Sequence, residues 1–131
     1  MARTEPSASR VTRPHLPTTW YHTKQEVPQL LAAAAVLITP DSGAALEAVA
    51  VGTSVIIIAS QSSFTCNPLM DMGKGETWDL AYDSLELDAI YSRLVIFRRV
   101  HPSRIEDLAR FYKYNCFVEP TVENIKLAFD L

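Results

Sequence analysis

Only two cysteines and four glycines occur in the 131 residues, and neither a basic stretch nor a long apolar run stands out. Cys66 and Cys116 are too few for a disulfide framework or a thiolate metal cluster, so two buried thiols in a reducing, cytoplasmic setting are expected. With 12 Lys and Arg against 15 Asp and Glu, a net charge of −3, the chain lacks the basic surface that a phosphate backbone demands. No nucleic-acid partner is expected. The most apolar segments, 30–38 and 49–59, fall short of the roughly 20 residues needed to cross a bilayer. Pro40, Asp41 and Gly52 interrupt them, and no membrane span is expected. Residues 1–19 carry Arg3, Arg10, Arg13 and three prolines but no apolar stretch of the kind an export signal contains. They are expected to form a disordered lead-in, with a transit peptide left open.

What is present is enough apolar material for one core: 48% of the residues are hydrophobic and 21% charged. One domain is therefore expected over 20–131. In 23–35, Thr23 and Glu26 have the spacing of a capping box, and Val27, Leu30, Leu31 and Ala34 follow at helical spacing. Pro28 disfavours a helical Val27 and leaves the start of that helix open. Residues 36–39 form a short apolar run ended by Pro40, which reads as a fully buried strand of a parallel sheet. In the next turn Asp41 or Ser42 can cap a short helix over 44–50, Gly52 supplies the left-handed residue that ends it, and 55–58 is a second buried strand. Helix, strand, helix, strand with short connections is α/β winding, so the expected fold is α/β, a Rossmann-like parallel sheet flanked by helices.

A long loop is expected over 59–79. Further helices are expected from Asp83 and Glu86 through Leu94, from His101 through Tyr112, and after a Thr121 cap. The last of these carries Val122, Ile125, Leu127, Ala128 and Phe129 as an apolar stripe that should dock onto the sheet. Residues 94–97 and 117–118 are the weaker candidates for additional strands.

Chemistry is expected at the carboxyl ends of the strands, where open α/β sheets bind ligands. The turn of Ser42, Gly43 and Ala44 directs backbone N–H groups toward an anion, and Glu47, one turn further, can accept from sugar hydroxyls. Many such strand–cap–helix turns bind nothing, so the turn alone does not decide. Ser60, Gln61, Ser62 and Lys74 lie in the long loop and are candidate contacts. Gly73-Lys74-Gly75-Glu76 lacks the outer glycine and the Ser or Thr of a phosphate-binding loop, and Ser42 lacks the preceding glycine of a nucleophile elbow. Asp71, Glu76 and Asp79 show no metal-ligand spacing, and neither a metal nor a cofactor is expected.

From Trp20-Tyr21-His22 through Val27-Pro28-Gln29-Leu30-Leu31 and Ala35-Val36-Leu37-Ile38-Thr39 to Ser42-Gly43-Ala44-Ala45-Leu46-Glu47-Ala48-Val49-Ala50-Val51-Gly52, the chain resembles the C-terminal donor-binding lobe of GT-B glycosyltransferases and the related UDP-N-acetylglucosamine 2-epimerases. The flavour is nearest to bacterial surface-polysaccharide biosynthesis proteins. The resemblance runs over 20–60, under half of the chain. It implies a nucleotide-sugar partner, with Ser42, Gly43 and Ala44 against the donor diphosphate, Glu47 toward the ribose or sugar, and Trp20, Tyr21 and His22 bordering the nucleobase. Thr53 and Ser54 stand where those families usually have a small residue and proline. The resemblance also implies an incomplete lobe whose N-terminal counterpart, with the catalytic base, is absent or supplied by a partner chain. Part of a nucleotide-sugar epimerase and a non-catalytic α/β interaction module are the alternatives.

Overall fold

Short β-branched runs separated by capped helices leave little choice of architecture, and the computed structural model, which describes residues 23–40, 43–62, 64–65 and 67–130, has the expected α/β form. Residues 1–19, Trp20, Tyr21, His22, Asp41, Ser42 and Cys66 lie outside the described residues. Three parallel strands stand in the order β1 (Val36–Thr39), β2 (Ser54–Ile58), β3 (Trp78–Ala81). Val36 pairs with Ser54, and Val55 in turn with Trp78. Helices α1 (Val27–Ala33), α2 (Ala44–Ala50), α3 (Ser84–Val100), α4 (Pro102–Cys116) and α5 (Val122–Ala128) complete the described chain.

Strand alternation divides the core into two layers. Val55, Ile57 and Trp78 face Ala45, Ala48 and Val49 of α2 and Tyr112 of α4, while Ile56 and Ala81 face Ile90 and Leu94 of α3. Helices thus cover both faces of the sheet, as parallel strands require. The cover is incomplete over β1. Contrary to the expectation of full burial, β1 is an edge strand among the described residues, and Ile38 is 44% exposed. Neighbouring Ile58, at the carboxyl end of β2, is also exposed.

Several boundaries differ from expectation for identifiable reasons. The third strand is Trp78–Ala81, inside and just beyond the expected loop. Its alternation is masked by Asp79, whose outward face meets Arg93 of α3 in an ion pair. Residues 94–97 are helical, within α3, and 117–118 belong to the connection between α4 and α5, so neither adds a strand. Thr23 does not cap α1; its hydroxyl accepts from the Gln25 N–H, and the helix starts after Glu26 with Pro28 in its first turn. Asp83 and Glu86 do form a capping box, Asp83 accepting from Glu86 N–H at 2.8 Å and Glu86 from Tyr82 N–H at 2.7 Å. Thr121 caps α5 as expected. That helix does not dock onto the sheet and has no buried residue, because Ile105, Leu108 and Tyr112 of α4 already fill the layer it would have entered.

Among the described residues the connection from β2 to β3 contains no helix and is held by side chains instead. Tyr112 hydroxyl lies 2.8 Å from the Met70 carbonyl and 2.7 Å from the Met72 carbonyl, and the Trp78 indole N–H donates to Met72 at 3.1 Å. Gly73 and Gly75, both at φ +82°, make the turn that follows. A Cβ on Gly73 would stand 2.9 Å from Thr77 Cγ2, whereas one on Gly75 meets nothing.

Both Ala substitutions carry the same left-handed cost of about 1–2 kcal/mol. Gly73→Ala is therefore expected to destabilise more than Gly75→Ala, the difference in urea midpoint reporting the clash alone. Burial raises the Tyr112 phenol above its ordinary value of 10.0. Stability from a raised phenol is whole below pH 10 and is lost as pH rises through the folded value. Tyr112→Phe is expected to lower stability at pH 7 by about 1 kcal/mol and to flatten this alkaline loss. Denaturant melts at pH 7 and pH 11 check both.

Candidate functional site

The carboxyl ends of β1 and β2 lie side by side, so the chain segments leaving them meet at one edge of the sheet, strand spacing being about 4.8 Å. At the first, Gly43 occupies the N-cap of α2 with φ −59° and ψ −21°, its carbonyl accepting from Leu46 N–H at 3.1 Å. No side-chain cap is present among the described residues. A Cβ on Gly43 would meet nothing within 4 Å, so the space in front of this turn is open. Ala44 follows, half-buried, at the first helical position.

At the second, Ser60, Ser62 and Thr65 are tied together by hydrogen bonds. Thr65 hydroxyl accepts from Ser60 N–H at 2.8 Å and Ser60 hydroxyl from Ser62 N–H at 3.2 Å. Gln61 donates its amide to the Tyr82 carbonyl at 2.9 Å, which ties this segment to the entry of α3. Gly43, Ala44, Ser60, Gln61 and Ser62 therefore share the carboxyl edge. Phe64, 89% exposed, and Tyr82, about half exposed, stand at the same edge and were not among the sequence-derived candidates. Their signal, an aromatic residue among polar ones in the segment after a strand, directly so for Tyr82 after β3 and further along for Phe64 after β2, was available in the sequence.

The remaining candidates are elsewhere. Lys74 bridges to Trp78, whose partner Val55 is at the amino end of β2, so Lys74 belongs to the opposite edge of the sheet. Its ammonium stands 5.8 Å from the Trp78 ring centre, a cation–π contact rather than a ligand contact. Glu47 lines an apolar groove of about 470 Å³ between α2 and the end of α4, together with Val51, Phe117 and Val118. None of the carboxyl-edge residues lines that groove.

Glu76 and Asp79 are committed to arginines. Arg104 holds Glu76 through two bonds of 2.8 and 3.1 Å, and Arg93 holds Asp79. Among the described residues no group of three His, Cys, Asp or Glu could hold a metal ion. Arg98, which sequence reasoning passed over, donates to the Gly52 carbonyl at 2.8 Å and the Ser54 hydroxyl at 3.2 Å, fixing the turn between α2 and β2. His101 ends α3, stacked on Phe97 at 4.6 Å, one long helix away from the carboxyl edge. Cys116 is half-buried at the end of α4 and carries no disulfide. No described helix is long and apolar enough to cross a membrane.

No protein-family model, curated protein or solved structure matches this chain.

The hydrogen bonds from Arg104 hold the Glu76 carboxyl below its ordinary value. A depressed carboxyl contributes stability that is present above the ordinary value near 4.5 and is lost as pH falls through the folded one. Both groups are partly exposed, so Arg104→Gln is expected to remove less than about 1 kcal/mol at pH 7 and almost nothing at pH 2. Thermal melts at the two pH values measure the difference.

Proposed function

We propose that the chain is the nucleotide-sugar-binding portion of a GT-B type glycosyltransferase of surface-polysaccharide synthesis, acting in the cytoplasm. The observation that carries this is the turn at Gly43, where an added Cβ would meet no described atom within 4 Å, set beside the Ser60, Gln61 and Ser62 segment at the carboxyl edge of a parallel sheet. That edge is where sheets of this class bind ligands, and the resemblance over 20–60 supplies the ligand chemistry.

In this reading the donor diphosphate lies against Ser42, Gly43 and Ala44, and Ser60 and Ser62 contact the sugar. Glu47, which lines the groove in this structure, accepts from ribose or sugar hydroxyls once its carboxylate turns toward the carboxyl edge, and Trp20, Tyr21 and His22 border the base. Backbone N–H groups at the start of α2 offset the charge that develops on the departing nucleoside diphosphate, an electrostatic contribution of the oxyanion-hole kind. Lys74 takes no part, since it belongs to the other edge. The catalytic base and the acceptor site come from a further lobe or a partner chain.

A second reading, a non-catalytic interaction module, is favoured by Glu47 lining an apolar groove. Nucleotides discriminate the two. UDP, GDP and CMP titrated into the labelled chain are expected to shift amide resonances around Gly43 to Glu47 for one of the three. Gly43→Val fills the open space and is expected to weaken that binding at least tenfold, about 1.4 kcal/mol, with the melting temperature little changed. Indifference to all three nucleotides refutes the donor-lobe assignment and leaves the interaction module.

A further inference from the structure

Helix α5 has seven residues, capped by Thr121, and none of them is buried. A helix this short is unstable in water without packing on an apolar stripe. Its stripe exists: Val122, Ile125 and Phe129 recur on one side, Leu127 is 81% exposed and Phe129 72% exposed. Directly before α5, in the same chain, lies the apolar groove of about 470 Å³ lined by Val51, Phe117, Val118 and Pro120. Each surface lacks what the other offers, and nothing among the described residues brings the two together.

We infer that a second copy of this chain covers this face, the α5 of each protomer lying in the groove of the other. The charges agree with that occupant. The flank of α5 carries Glu123 and Lys126 one turn apart, and the groove carries Lys113 and Glu119. Lys126 then meets Glu119 of the other copy, and Glu123 meets Lys113. At about 1.5 Å per residue, α5 is roughly 10 Å long, short enough to lie in a groove framed by one helix end and the five-residue connection 117–121. A twofold axis makes the exchange reciprocal, so the contact closes at two chains and buries both stripes and both grooves.

Sedimentation of the full chain over the micromolar range tests this. The expected result is a concentration-dependent dimer. Phe129→Glu, at an exposed position, is expected to weaken the dimer at least tenfold while leaving the circular dichroism spectrum of the three-stranded domain in place. Lys126→Glu is expected to weaken it as well, and Lys126→Glu combined with Glu119→Lys to restore it. A monomer at every concentration overturns the inference and assigns the cover to residues 1–22 or to a different protein. A dimer that survives Phe129→Glu, a charge swap that fails to restore association, or open-ended aggregation in place of a closed pair overturns it equally. No nucleotide enters the experiment, so its outcome is separate from that of the donor-lobe proposal.

Discussion

The Met72 carbonyl takes the Trp78 indole N–H and lies within reach of the Tyr112 hydroxyl, and the sheet depends on that junction. Parallel strands need a crossover, and a crossover is ordinarily a helix that packs on the sheet. The described residues of 59–77 have none. Without a helix their backbone groups must find partners one by one, and the two buried aromatic side chains supply them from opposite directions, Trp78 from the sheet and Tyr112 from α4. Leu69 fills the space beneath, and Thr77 delivers its carbonyl to Val55 N–H at 2.9 Å so that β3 begins in register. The third strand thus owes its place to contacts made by residues more than thirty positions later.

The same crossover sorts the chemistry of the two sheet edges. It leaves β2 at the carboxyl edge, where Ser60 N–H donates to the Thr65 hydroxyl, and returns through Gly73, Lys74 and Gly75 at the amino edge. Hydroxyls, an open glycine turn and two exposed aromatic rings collect at the first. At the second are Lys74 on Trp78, Arg104 on Glu76 and Arg98 on the Gly52 carbonyl. Basic side chains are thus spent on bracing the amino edge, and the described side chains at the carboxyl edge are hydroxyls, an amide and aromatic rings.

What was legible in the sequence follows the range of the interactions involved. The Gly52 end of α2, the Asp83 cap of α3 and the Thr121 cap are local, and each was readable from residues within four positions, whereas the N-cap of α2 is Gly43 rather than the expected Asp41 or Ser42. The parallel sheet was readable from the β-branched runs at 36–39 and 54–58. Strand β3 was not, since Asp79 breaks the apolar pattern and its partner Arg93 lies fourteen residues on, in a different element. The undocked α5 failed for the opposite reason: its own pattern promised burial, but the layer it needed is occupied by α4. At the candidate site, Gly43, Ala44 and the 60–62 segment come together as the strand order requires. Lys74 and Glu47 do not, because the direction of a helix-free crossover and the rotation of a two-turn helix are set by tertiary packing.

Glu47 is the point at which the two proposals touch. It accepts from the donor in one, and it lines the groove that a second α5 fills in the other. Two ligands that share a residue cannot be energetically independent. If nucleotide-sugar draws the Glu47 carboxylate toward the carboxyl edge, the groove loses one acidic neighbour for Lys126, and association weakens. By linkage, association then weakens nucleotide-sugar binding by the same factor. The sign is fixed by the one carboxylate available: α2 has a single acidic residue, and its charge can be aimed at the sheet edge or at the groove, but not at both.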